Sequence, residues 1–335
     1  MKAVVATMQG TPDVLQLVEL DKPQPGPGQV LVKVVASAVN HIDIKVRKAQ
    51  LPMTPSHFPA VLQSDFSGLV EGLGAGVTGF AVGDAVFGFA GGYKGPAGDV
   101  PGALSEYIAV DARLIALKPQ TLDFRQAAAL PLVAATAWMA LHEKTRITSS
   151  TILLVQGGSG GVGHIAVQLA KAAGATVIAT VNSDAAAAVA RRLGADVAIV
   201  SGSATPQEIV AQHTAGKGFD VIFDTVGGAA LDAAFQMIRP TGDVVTVVGA
   251  AAHNLAPLYL RGANLHTVLV LVPIMFGIGV EKQGAILEQI RALVDAGHIK
   301  PILDPRRFNL KSVADAHRSL EEGQASGKLI IDIAE

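Results

Sequence analysis

Residues 152–163 read ILLVQGGSGGVG, and this stretch decides the fold. Ile152 to Val155 is a short apolar run with β-branched ends, the pattern of a strand buried in a parallel sheet. It runs into Gly158-Ser159-Gly160-Gly161-Val162-Gly163, a complete G-x-G-x-x-G. His164 to Ala173 then places apolar residues at helical spacing, with Gly174 as C-cap, and Thr176 to Val181 is a second apolar strand. Strand, glycine turn, helix and strand follow in the order that a dinucleotide site requires. Glycines permit the tight turn and let backbone approach a pyrophosphate. The helix N-terminus adds free N–H groups and the positive end of its dipole. His164 follows the last glycine directly, so a phosphate loop of the Lys-Ser/Thr kind is excluded.

Downstream of Asp123 the alternation spreads in both directions. Phe124 to Leu130 and Val133 to His142 read as helices. Strands at 152–155, 176–181, 197–200, 219–224 and 243–248 alternate with helices at 164–173, 184–193, 206–214 and 229–238, which predicts a parallel sheet with crossover helices. Leu265 to Val272 reads as one more apolar strand, Glu281 to Ala296 as a helix, and Lys328 to Ile333 as a final strand. The first 120 residues are β-rich instead, with strands at 30–38, 67–72, 85–89 and 105–110. A turn-rich connector occupies Pro23 to Gly28, and Gly91 to Gly102 reads as a Gly/Pro loop.

Composition narrows the function classes. The chain has 335 residues, half of them hydrophobic and 16% charged, enough for two domains with sizeable cores. The net charge of −2 has no run of one sign behind it, so nothing calls for nucleic acid or a membrane. With no cysteine there is no disulfide, thiolate nucleophile or Cys-ligated zinc. Met1 to Val5 enters a strand without a signal-peptide core, and the apolar run Val268 to Phe276 is too short to span a bilayer. A soluble cytoplasmic protein is the expectation.

Several further segments carry a resemblance that spans nearly the whole chain. They are Asn40-His41-Ile42-Asp43 with Arg47, Asp65-Phe66-Ser67-Gly68, Gly79-Phe80 with Gly83-Asp84-Ala85-Val86, and Ala127-Ala128-Ala129-Leu130-Pro131. Thr136-Ala137-Trp138, the glycine motif, Gly194-Ala195-Asp196 and Phe219 to Gly228 complete the set. Together they resemble the zinc-independent quinone oxidoreductase (zeta-crystallin-like) branch of the medium-chain dehydrogenase/reductase superfamily. The resemblance implies an α/β protein with a GroES-like β-barrel catalytic domain, a Rossmann domain with a doubly wound parallel sheet, and the active site between them. The expected division is 1–121 catalytic, 122–274 Rossmann, and 275–335 returning to the catalytic domain.

The resemblance also assigns residues. Zinc members carry a Cys where Asn40 stands, and their Gly-His-Glu falls on Gln63-Ser64-Asp65. No metal ligand set is therefore expected, and His41, His57 and His142 read as surface or hydrogen-bonded histidines. Without a Lewis acid, hydride can still pass from a nicotinamide to an acceptor whose conjugation already makes it electrophilic, such as a quinone or enone. Asn40 and Asp43 match catalytic positions, Asn40 as donor to a developing oxyanion. The same four residues could simply cap a helix. Lys45 stands where the branch often has Tyr.

For the cofactor, the resemblance adds Thr136, Val226, Val248 and Gly249, and the backbone of Val270, Leu271 and Val272, to Gly158 through Gly163. No acid ends the second strand: the ribose slot is Val181, followed by Asn182 and Ser183. That favours NADP(H) over NAD(H), although no Lys or Arg lies in 182–188. The apolar strand around 267–272 is expected to pair across a homodimer. The expected function is an NADPH-dependent, zinc-independent quinone or enone reductase. An enoyl-thioester or alkenal reductase on the same fold, or a non-catalytic NADPH-binding regulatory protein, stays open.

Overall fold

A computed structural model describes residues 1–89 and 91–334. The chain divides into two units, 1–135 with 271–335 and 136–270. The division differs from the expected boundaries near 122 and 275. Helix Phe124–Ala128 belongs to the first unit because it packs on strands Gln29–Ala38 and Asp65–Leu73, burying Ala127 and Ala128 there. An alanine-rich helix gives no sign in sequence of which sheet it covers.

The 136–270 unit is a six-stranded sheet. Its spatial order is Val197–Val200, Thr176–Val181, Ile152–Gln156, Phe219–Asp224, Ile238–Thr246, Asn264–Thr267. Every neighbouring pair is parallel. The order reverses beside Ile152–Gln156, the topological switch point at which open α/β sheets bind ligands. Leu154, Ile178, Ile222 and Val244 pack with Phe219, Leu231 and Phe235 in a core on one side of the sheet. Helix Gly163–Ala172 is buried along nearly its whole length, so its glycine-motif end is held firmly.

In the other unit, a seven-stranded sheet is built around the long strand Gln29–Ala38. Asp65–Leu73 and Ile330–Asp332 flank that strand, both antiparallel. Ala38 is opposite Asp65 on one side and Ile330 on the other. This common register matters below, because it brings residues far apart in sequence to one end of the sheet. The expected Gly/Pro loop contains a short hairpin, Tyr93–Gly95 with Gly98–Val100.

One strand assignment is corrected. The apolar run 265–272 is a strand only over Asn264–Thr267, and helix Val272–Phe276 follows. Pro273 sits in the first turn of that helix, where its missing N–H costs nothing. Val270 and Leu271 are buried side chains between the two elements. Their hydrophobicity comes from packing, and pattern alone cannot separate a buried turn from a buried strand. Among the described residues, no helix is long and apolar enough to cross a membrane.

Candidate functional site

The 136–270 unit gathers its motif residues along the carboxyl edge of the sheet. Strand Ile152–Gln156 ends at Gly157, whose φ of +77° favours glycine. A Cβ on Gly157 would lie 2.6 Å from Thr225 Oγ1, a Cβ on Gly158 2.6 Å from the Ala179 methyl, and a Cβ on Gly163 2.0 Å from the Gly157 carbonyl. These three glycines let the turn, the neighbouring strand and the helix approach one another. Gly160 and Gly161 are exposed, and a Cβ on Gly160 meets only the Gly157 carbonyl at 3.2 Å. Ser159, Gly161 and Val162 offer N–H groups with no acceptor among the described residues. An open, glycine-lined cradle at a helix N-terminus fits a pyrophosphate.

The neighbouring loops are tied down around this cradle. Buried Asp224 accepts from the N–H groups of Val226 (3.0 Å) and Gly227 (2.9 Å) and from the Thr246 hydroxyl (2.7 Å). Thr225 Oγ1 donates to the Gln156 carbonyl at 2.7 Å. Val226 is left 54% exposed and Gly249 open, beside the half-buried Val248. Gly157, Asp224 and Thr225 therefore shape this candidate site without being in the sequence assignment. The positive φ at Gly157 and the contact across the sheet that involve them come only from the fold.

At the end of Thr176–Val181, Val181 is 2% exposed and packs inward, whereas Asn182 and Ser183 are exposed. A carboxylate at Val181 would be buried without a partner, so Asn182 rather than Val181 is the exposed position at this strand end. Ser183 Oγ accepts from Ala186 N–H at 3.2 Å and caps helix Asp184–Arg192. Thr136 is buried in helix Pro131–Trp138, and Val272 is 41% exposed in the first turn of its helix.

The other unit assembles a polar cluster at the end of the long strand. The register around Ala38 places Asn40, Ser64-Asp65 and Lys328 together. Asn40 Nδ2 donates to Asp65 Oδ2 at 2.8 Å, and Lys328 Nζ donates to Asn40 Oδ1 and, at 3.2 Å, to the Val39 carbonyl. Lys328 Nζ lies 3.5 Å from Asp65 Oδ2. Asp65 Oδ1 also accepts from Leu132 N–H at 2.9 Å, in the first turn of a helix. All three polar side chains are at most 5% exposed. Burial pushes the Asp65 carboxyl up and the Lys328 amine down, and each partner pulls the other back toward its charged form.

Asp43 is the third residue of helix His41–Arg47 and accepts from the N–H of the N-cap Asn40 at 2.7 Å, so for Asp43 the capping reading holds. Burial, with Asp65 repulsion adding to it, raises its pKa to about 7. Asn40 is different, since its side chain reaches into the cluster. Lys45 is half-buried on the same helix. His57 is exposed and 3.0 Å from Asp99, and the His142 ring lies tilted by 39° against Trp138 with ring centroids 4.3 Å apart. Nothing in the sequence singles out Lys328. It reads as a lysine leading into a strand, and only the register puts it beside Asn40.

Zinc does not fit this donor set. An amide, a hydroxyl and one carboxylate stand at the ligand slots, and the Lys328 ammonium among them would repel a dication. No group of three or more His, Cys, Asp or Glu suited to a metal occurs among the described residues.

Comparison with known proteins agrees with this architecture. Residues 26–120 match the alcohol dehydrogenase GroES-like domain and residues 161–283 the zinc-binding dehydrogenase family. The chain belongs to the medium-chain dehydrogenase/reductase superfamily. It is 35% identical to a 2-methylene-furan-3-one reductase of Solanum lycopersicum, over 99% of this chain and 79% of that protein. It is 34% identical, with the same two coverages, to a chloroplastic NADPH-dependent alkenal/one oxidoreductase of Arabidopsis thaliana. A solved quinone oxidoreductase from Pseudomonas syringae pv. tomato superposes with a TM-score of 0.86 at 28% identity, covering 99% of each chain.

The glycine contacts predict two different outcomes at the motif. The Gly163→Val protein will fail to fold, since its Cβ collides with the Gly157 backbone. Gly160→Val will fold, with a shift of a few tenths of an ångström, and lose NADPH affinity. Circular dichroism and NADPH fluorescence titration check both, and unchanged affinity in folded Gly160→Val contradicts the cradle.

Proposed function

We propose that this protein is an NADPH-dependent, zinc-independent reductase of conjugated carbonyl acceptors, enones and quinones. The observation that carries the reading is Asn40: a clamped amide donor stands where zinc members of the superfamily place a ligand cysteine. Bound NADPH would supply hydride from its nicotinamide C4. The chain's residues do the rest. Conjugation already makes the acceptor carbon electrophilic, so no metal is needed to polarise it. Hydride addition drives the π electrons onto the carbonyl oxygen, and an Asn40 N–H donated to that oxygen stabilises the charge. Asp43 holds its proton up to about pH 7 beside Asn40 and Asp65. Once ionised, it adds a second anion next to the donor and weakens it. Enones are favoured over quinones as acceptors, because both plant relatives are named for unsaturated carbonyl substrates.

NADP(H) is the cofactor we assign, through Gly158 to Gly163, Asn182, Ser183, Val226, Val248 and Gly249, with Thr136 and the backbone of Val270 to Val272 beside the nicotinamide. Asn182 and Ser183 stand where an acidic residue would repel a 2′-phosphate. We also assign a homodimer paired along Asn264–Thr267, the open edge of the six-stranded sheet, where Leu265 is 38% exposed.

Wild type should oxidise NADPH with an enone panel and keep its activity after dialysis against a strong chelator; activity lost and then restored by zinc refutes the metal-free reading, and binding without turnover on any acceptor makes the protein a sensor. Asn40→Ala should lower kcat about a hundredfold, the cost of one oxyanion donor, and wild-type kcat should decline as pH rises through about 7. Asn182→Asp should shift the NADPH/NADH ratio of kcat/KM about tenfold toward NADH, the scale of one charge-assisted hydrogen bond; an unchanged ratio misplaces the ribose. Sedimentation should give twice the chain mass, and a monomer at micromolar concentration rules the edge pairing out.

A further inference from the structure

The Asn40 amide has two ends of opposite character, and its neighbours distinguish them. Oδ1 faces the Lys328 ammonium, which has only donors. Nδ2 faces the Asp65 carboxylate at 2.8 Å, which has only acceptors. Rotating the amide by half a turn would set N–H against ammonium and carbonyl against carboxylate. Both charges are buried and would lose a partner at once. The amide therefore has one stable orientation. Nδ2 carries two hydrogens, and Asp65 takes one.

We propose that Lys328 is a positioning residue for the reaction: its buried ammonium locks the Asn40 amide so that a donor N–H, never the carbonyl, is presented to the acceptor oxygen. The inference rests on the reductase reading above. The ammonium also polarises the amide carbonyl to which it donates, which strengthens the remaining N–H as a donor. Lys328 thus contributes the positive charge of this cluster through an intervening amide, without touching substrate. The Val39 carbonyl at 3.2 Å and Asp65 at 3.5 Å hold the ammonium in place.

The test uses 4-nitrophenol as an oxyanion probe in the presence of NADP+, with binding of phenol and phenolate separated by pH and visible absorbance. Lys328→Met alone leaves Asp65 buried without a cation and is prone to unfolding. The double variant Lys328→Met/Asp65→Asn removes both charges and keeps the shapes. Wild type should bind phenolate about tenfold tighter than phenol, as for a charge-assisted hydrogen bond. The folded double variant should lose that preference and at least tenfold in kcat, with its KM for NADPH unchanged. A double variant that keeps the phenolate preference overturns the proposal, as does a wild type without one. A Lys328-dependent preference in a protein that reduces no acceptor leaves the positioning role standing and removes the reductase reading. Turnover that the double variant retains in full does the opposite.

Discussion

The unit formed by 1–135 and 271–335 depends on a buried ion pair. Lys328 and Asp65 come from opposite ends of the sequence and meet across the end of strand Gln29–Ala38. Removing one partner of such a pair typically costs about 3–5 kcal/mol, because the other charge stays buried without compensation. The pair therefore fixes the return of the C-terminal strand onto the sheet. It also fixes Asn40, which bridges the two charges. A structural requirement and a chemical one fall on the same atoms.

The 136–270 unit rests on a different constraint, the closeness of backbone to backbone. No side chain could occupy Gly163, with the Gly157 carbonyl 2.0 Å from where its Cβ would be. Asp224 holds the adjoining loop through Val226, Gly227 and Thr246, so the edge of the sheet is ordered before any ligand arrives. Preorganisation of this kind lowers the cost of binding a long, flexible dinucleotide.

The proposed chemistry needs no zinc, and the same economy of means underlies it. A metal site needs several soft or anionic ligands around one point. This chain instead places an amide, a hydroxyl, a carboxylate and an ammonium there. Such a set cannot activate an alcohol, but it can hold a donor against a developing oxyanion. In the proposed reaction the acceptor's own conjugation does the work a Lewis acid would do, which would restrict the substrates to carbonyl compounds already prone to accept hydride.

The sequence by itself determined the architecture and the dinucleotide edge. ILLVQGGSGGVG and the strand–helix alternation after it express local periodicity and turn chemistry, which short stretches carry in full. The family segments added Asn40 and the expectation that no zinc sits beside it. Tertiary structure alone decided the rest. Val181 faces the core and Asn182 the solvent, a distinction set by how the strand end packs. The run 268–271 is not a strand although Val268, Val270 and Leu271 are buried in it, since burial makes any backbone conformation equally apolar in sequence. Helix Phe124–Ala128 joins the unit whose sheet it covers. Lys328 acquires its role only through the register that sets Ala38 between Asp65 and Ile330, a coincidence of positions hundreds of residues apart that no local pattern encodes.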